Sequence, residues 1–188
     1  YIAPSTACVM QYKLGLPTTT VAFDVNLGCS GYVYGLYIAC SFIQGGGLKK
    51  VLLLAGDTQT KLCHGEDQNV VFLLGDAGTA TIIEASPDSQ EIKMNFKTDG
   101  SRKDSLIIPA GGFRVPSTSE TRKIRKQADS GVRSAEHLCL DGIGVFNFSI
   151  TDVVETIKEF MDDERLDVDS VDYLILHQAN KFMIDKIA

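Results

Sequence analysis

Apolar positions change their period several times along this chain of 188 residues, and each change marks an element. Ala7, Met10 and Leu14 recur at helical spacing, so residues Pro4 to Leu14 are expected to form a short helix ended by Gly15 and Pro17. "TTVAFDV", β-branched and apolar, then predicts a buried strand. From Ser30 to Gln44 the residues Val33, Leu36, Tyr37, Cys40 and Ile43 again fall at helical spacing, and glycines 45 to 47 close the run. "KKVLLLAGD" is a second run of nearly continuous aliphatics, as expected of a parallel strand covered on both faces. Strand, tight turn, helix and strand together predict a βαβ unit.

Further on, Gly75, Asp76 and Gly78 predict a turn before the strand-like "TATIIEA", and "EIKMNFKTD" alternates as a half-exposed strand does. Residues 98 to 133 are rich in Gly, Ser, Lys and Arg and read as a loop region. Phe146, Ile150, Val153, Ile157 and Phe160 step by four, three, four and three, which predicts one long helix. "VDYLILHQAN" predicts a buried strand ending at His177, with Asn180 capping a final helix. No sequence repeat is visible, although the plan of helix, strand and turn recurs in both halves.

Composition narrows the classes. Hydrophobic content of 44% and charged content of 22% are those of an ordinary globular chain, not of a disordered one. The longest uncharged stretch, Val25 to Leu48, carries Asn26, Ser30, Ser41, Gln44 and six glycines, so no membrane span is expected. No secretory signal opens the chain, and a start without methionine suggests a piece of something longer. Five cysteines without zinc or redox spacing point to reduced thiols in a cytoplasm and to no metal site. A net charge of −6 argues against a nucleic-acid partner. Yet residues 101 to 133 hold eight basic against three acidic residues, a surface on which an acidic partner could dock.

Two residues stand where chemistry is possible. Cys29 lies between Gly28 and Gly31, beside the start of a helix, where outward-pointing backbone N–H groups stabilise a thiolate and can hold the oxyanion of a thioester. The flanking glycines are expected to permit a sharp turn and close approach of a substrate. A small, inert, buried thiol is the alternative role for Cys29, and the structural one expected of Cys8, Cys40, Cys63 and Cys139. His177 falls at a strand end, where α/β proteins place their sites. His64 and His137 sit in loop-like, charged contexts and are expected to be solvated.

With these residues in view, "FDVNLGCSGYVYGL" resembles the nucleophile segment of the β-ketoacyl-acyl carrier protein synthase III family, of the thiolase-like superfamily. "VLLLAGD", "LLGDAGTATIIEAS", "LIIPAGG", "LDGIGVFNFSI" and "VDYLILHQAN" follow in that family's order. The resemblance runs over essentially the whole chain. It implies an α/β fold with a thiolase-like layered αβαβα architecture, incomplete at both ends. Residues 1–97 would be the latter part of an N-terminal half, 98–138 a connecting region, and 139–188 the start of a C-terminal half. It further implies that Cys29 accepts the acyl group and that His177 is one of two residues stabilising an enolate. A short acyl group would pass from coenzyme A to Cys29, and malonyl-acyl carrier protein would lose carbon dioxide and attack it. Coenzyme A is then a substrate, no cofactor or metal is required, and a cytoplasmic homodimer is implied.

The chain also departs from the family's pattern. The second enolate partner is an asparagine downstream of HQAN, and the sequence ends eleven residues after His177, so Asn180 is not that residue. The family's opening strands and closing Gly-rich segment are absent. Asp67-Gln68 stands where Asp-Arg is common, and Lys181-Phe182 where an arginine often helps to dock the carrier protein. Two other readings stay open: a related acyltransferase with a hydroxyl or amine acceptor, and an inactive structural fragment. A cysteine hydrolase fits the pattern poorly.

Overall fold

In the computed structural model, which describes residues 2–89 and 91–188, the chain divides into two compact units. The first comprises Tyr1–Ala55 and Thr79–Ser89, the second Gly56–Gly78 and Gln90–Ala188.

In the first unit α1 (Thr6–Lys13) ends where the sequence predicts, at Gly15 in the left-handed region with φ +66°. Its N-terminus is capped from a distance: the amides of Thr6 and Ala7 donate to the Asp24 carboxylate at 2.6 and 2.7 Å. Those two bonds, that of Ala7 first, hold the Asp24 carboxyl below the usual range. Residues 21–27 form no strand, against expectation, and Val21 is 64% exposed. An extended segment becomes a strand only when a neighbour completes its hydrogen-bond ladder, and none does so here among the described residues. The edge of Phe23 instead meets Phe42 at 6.1 Å between ring centroids.

Helix α2 (Gly31–Gln44) follows, burying Gly35 and Ala39. A Cβ at Gly35 would come within 2.5 Å of Leu53 Cδ1, so the Leu53 side chain would have to shift to admit it. The glycine-rich stop is as predicted, with Gly46 at φ +71°. Leu53 belongs to β1 (Lys50–Thr58), whose burial alternates along its first seven residues instead of being complete on both faces. Its partner is β2 (Asp76–Glu84). Lys50 pairs with Glu84 near one end, and Thr79 Oγ1 donates to the Ala55 carbonyl further along, so the strands run antiparallel. The predicted βαβ unit lacks its first strand, and β1 has β2 as its antiparallel neighbour. The turn expected at Gly75 to Gly78 is also shorter, because Asp76 already belongs to β2.

In the second unit the loop region is tied down by two short antiparallel pairs. β3 (Leu106–Ile107) meets β6 (Cys139–Leu140), and β4 (Arg125–Lys126) meets β5 (Val132–Arg133). "EIKMNFKTD" has no strand; Lys93 and Lys97 instead reach Glu164 and Glu159. The single long helix is two, α3 (Gly142–Ile150) and α4 (Asp152–Asp163), broken at Thr151 with ψ −76°. Asp141 caps α3 by accepting from Gly144 N–H, and Thr151 Oγ1 donates back to the Asn147 carbonyl. Residues 171–177 form no strand, and Tyr173 and Ile175 are 85% and 89% exposed. Asn180 caps α5 (Lys181–Ile187) as predicted, its Oδ1 accepting from Met183 N–H at 2.9 Å. Val70, Ala110, Leu138 and Met183 form the buried apolar positions of this unit.

Candidate active site

Cys29 belongs to the first unit. A turn closed by Gly31 N–H to Gly28 O at 2.8 Å carries it, and it is solvent-exposed, not packed away as an inert thiol. Ser30 occupies the N-cap of α2 with φ −86° and gives no side-chain cap. The first-turn amides are thus left without a side-chain acceptor, a residue or two from the sulfur. Neither Gly28 nor Gly31 adopts a positive φ, and a Cβ at Gly28 would meet nothing within 4 Å. The turn itself does not demand glycine, contrary to the sequence-based reason; what glycine gives is open space beside the thiol.

His177 belongs to the second unit. It is exposed, follows the extended 171–176 segment, and accepts from Ala179 N–H through its carbonyl at 3.0 Å, three residues before the Asn180 cap. The start of α5 fixes its backbone. Lys181 is tied to Asp185 at 2.7 Å, while Phe182 stacks on Phe146 at 5.5 Å with Lys186 over its ring. Gln68 is exposed between the buried Asp67 and the half-buried Asn69.

Cys63 and Cys139, two of the cysteines for which the sequence predicts structural roles, have local partners. Cys63 Sγ lies 3.5 Å from Gln59 O, and burial, with Asp67 and Asp76, pushes its thiol up. Cys139 Sγ lies 3.1 Å from Arg133 Nη2. Cys8 is exposed, and its Sγ lies 3.6 Å from Ala22 O. Among the described residues, no three His, Cys, Asp or Glu side chains are grouped to hold a metal ion, and no helix is long and apolar enough to cross a membrane.

Sequence reasoning missed the most buried charges of the second unit. Asp67 is fully buried and Arg133 nearly so, and Arg133 Nη1 donates to Asp67 Oδ2 at 3.0 Å. Arg133 Nη2 also meets Asp129 Oδ2 at 2.5 Å. This arrangement holds Arg133 as a cation more firmly than usual, chiefly through Asp129, and holds the Asp129 carboxyl below the ordinary range. The basic stretch is correspondingly less free than its charge count implies. Arg102 pairs with Asp99 and Asp152, Lys103 with Asp104, and Lys123 and Arg125 with Glu120. His64 and His137 are half-buried against each other, not solvated, with ring centroids 5.2 Å apart.

The fold and its neighbours define the class. A solved 3-oxoacyl-(acyl-carrier-protein) synthase III superposes with a TM-score of 0.96 at 39% identity, over 100% of this chain and 56% of its own. The 3-oxoacyl-(acyl-carrier protein) synthase of Burkholderia xenovorans superposes with a TM-score of 0.83 at 36% identity, over 100% of this chain and 52% of its own. The architecture is therefore α/β and thiolase-like. In sequence, the family described as 3-oxoacyl-[acyl-carrier-protein (ACP)] synthase III matches residues 23–100. The β-ketoacyl-[acyl-carrier-protein] synthase III of Clostridioides difficile is 33% identical over 177 residues, 94% of this chain and 51% of its own. Over its whole length the chain is similar to β-ketoacyl-acyl carrier protein synthases III. It spans about half the length of the relatives it matches.

Proposed function

We propose that this chain carries the acyl-accepting part of a β-ketoacyl-acyl carrier protein synthase III, an acyltransferase that initiates fatty acid synthesis. The observation that carries the reading is the exposed Cys29 thiol beside the uncapped start of α2, within the segment that matches the family. Cys29 Sγ attacks the carbonyl carbon of a short acyl-CoA; a new C–S bond forms, and coenzyme A leaves as its thiolate. The developing oxyanion is met by backbone N–H groups near the helix start. Open space at Gly28 admits the thioester.

In the second half-reaction malonyl-acyl carrier protein loses carbon dioxide, and the enolate carbon attacks the acyl-cysteine carbonyl. The Cys29 C–S bond then breaks, regenerating the thiolate and releasing a β-ketoacyl thioester. His177 donates a hydrogen bond to the enolate oxygen, spreading charge without a metal. Ping-pong kinetics follow from the covalent intermediate. The working protein is a cytoplasmic homodimer in this reading, with residues 1–97 and 139–188 contributing to its two halves.

Incubation with acetyl-CoA followed by peptide mass analysis tests the first half. Acetyl mass is expected on the Cys29 peptide and absent after Cys29→Ala. Labelling of another cysteine, or label that persists in the variant, refutes the assignment. Product analysis with malonyl-acyl carrier protein against small hydroxyl and amine acceptors separates condensation from other acyl transfer.

A further inference from the structure

His64 and His137 take no part in the chemistry proposed for Cys29 and His177, yet their environment is specific. Both the amide and the hydroxyl of Ser134 lie on His137 Nδ1, at 3.3 and 2.7 Å. A backbone N–H can only donate, so Nδ1 accepts, the ring hydrogen sits on Nε2, and the imidazole is neutral. Glu136 N–H donates to Ser134 Oγ at 3.1 Å, which leaves the hydroxyl proton free to point at Nδ1. Ser134 is 4% exposed, so water does not replace these bonds cheaply.

A proton added at Nδ1 turns an acceptor into a donor. The Ser134 amide then faces a donor and is left buried and unpaired. His64 approaches edge-on at an interplanar angle of 78°, where a second positive charge would repel the first. Glu136 and Asp67 are the carboxylates that favour the cation. Asp67 is already committed to Arg133, which Asp129 and Cys139 also contact. Burial, and then His64, outweigh the carboxylates and hold the His137 imidazole below its ordinary value.

We propose that the His64–His137 pair is an acid-sensitive joint that holds the 62–67 turn against the 134–139 segment while His137 is neutral, and opens when His137 is protonated. The backbone bond from Leu138 N–H to Leu62 O, 2.8 Å, is the contact that loosens on opening. A lowered imidazole means that the unfolded chain takes up the proton first. The joint's contribution is therefore complete above the ordinary imidazole value, and is lost as pH falls through that value toward the lowered one.

An NMR titration of the intact polypeptide from neutral to acid pH tests this. The urea-unfolded chain supplies the reference imidazole, and exchange of the Leu138 amide is corrected for its intrinsic rate. A His137 midpoint below the reference is expected, with Leu138 losing at least about tenfold of its protection over the same interval. His137→Gln removes that step. His64→Phe, which keeps a ring but not the charge, moves the His137 midpoint upward and decides the matter if His137→Gln does not fold. The proposal is overturned by a midpoint at or above the reference, by unchanged Leu138 protection, by a step that survives in His137→Gln, or by an unmoved midpoint in His64→Phe.

Discussion

Replacing Arg133 by methionine should cost far more than replacing any other arginine of the basic stretch. Arg133 has an 8% exposed side chain and faces an Asp67 side chain that is 0% exposed, 66 residues away in sequence. Methionine fills much of the arginine stem's volume but leaves Asp67 with one amide donor, Asn69 N–H at 3.2 Å, and no counter-charge. Breaking a buried pair in this way costs about 3–5 kcal/mol, because the partner left behind is an uncompensated buried charge. Arg102→Met is the control. That side chain is 41% exposed, and its ion pairs with Asp99 and Asp152 are exposed and screened by solvent. Urea unfolding followed by circular dichroism separates the two. With a slope of about 2 kcal/mol per molar, a loss of about 4 kcal/mol lowers the midpoint by about 2 M, and the control should shift far less. Asp67→Asn should be milder than Arg133→Met, since Arg133 keeps Asp129. The double variant should be more stable than the sum of the single losses predicts, because the charge that Arg133→Met strands is gone. A loss below about 1 kcal/mol in Arg133→Met, or simple additivity in the double variant, refutes the account of a buried, obligatory pair.

Arg165 follows α4 with φ +54°, and the amide of Leu166 returns to Met161 O at 2.8 Å, a helix end that favours glycine. Arg165→Gly should therefore raise stability by about 0.5–1 kcal/mol, seen as a higher melting temperature. Asp76 accepts from the amide and the hydroxyl of Thr60 at 2.9 and 2.7 Å, and these bonds hold its carboxyl below the usual value. Its contribution is complete above the ordinary aspartate value and disappears as pH falls through the lowered one. The urea midpoints of the native chain and Asp76→Asn should thus differ at pH 7 and converge in strong acid. Asn180→Ala removes the cap on α5 and should cost about 1 kcal/mol, with faster amide exchange at Met183 as its local signature.

Helix ends were legible because their signals are local. Gly15, the 45–47 glycines and Asn180 do in the structure what their chemistry predicts, since a left-handed turn or a side-chain acceptor needs no distant partner. Strands were legible only in part: "KKVLLLAGD" and "TATIIEA" fall in β1 and β2, which pair with each other, while other segments of strand composition find no partner among the described residues. "TTVAFDV" and "VDYLILHQAN" have strand composition, but composition states what a segment could bury; the ladder depends on a neighbour that the segment cannot encode. The same logic explains the division of α3 from α4. Apolar spacing continues through Thr151, so the period reports a common face while the backbone breaks between Ile150 and Asp152. At the candidate site, Cys29 was recognisable from its turn and helix start. Asp67 and Arg133 were hidden among ordinary loop charges because their meaning lies in a contact across 66 residues. A visible trace remained. Asp67 and Asp129 each accept an amide two residues ahead, from Asn69 and Gly131, so both carboxylates are fixed locally before Arg133 joins them. Two such turns on either side of a long loop mark where an arginine can be taken out of water. Charge counting alone assigned Arg133 to a free basic surface, whereas the geometry makes it a tie inside the fold.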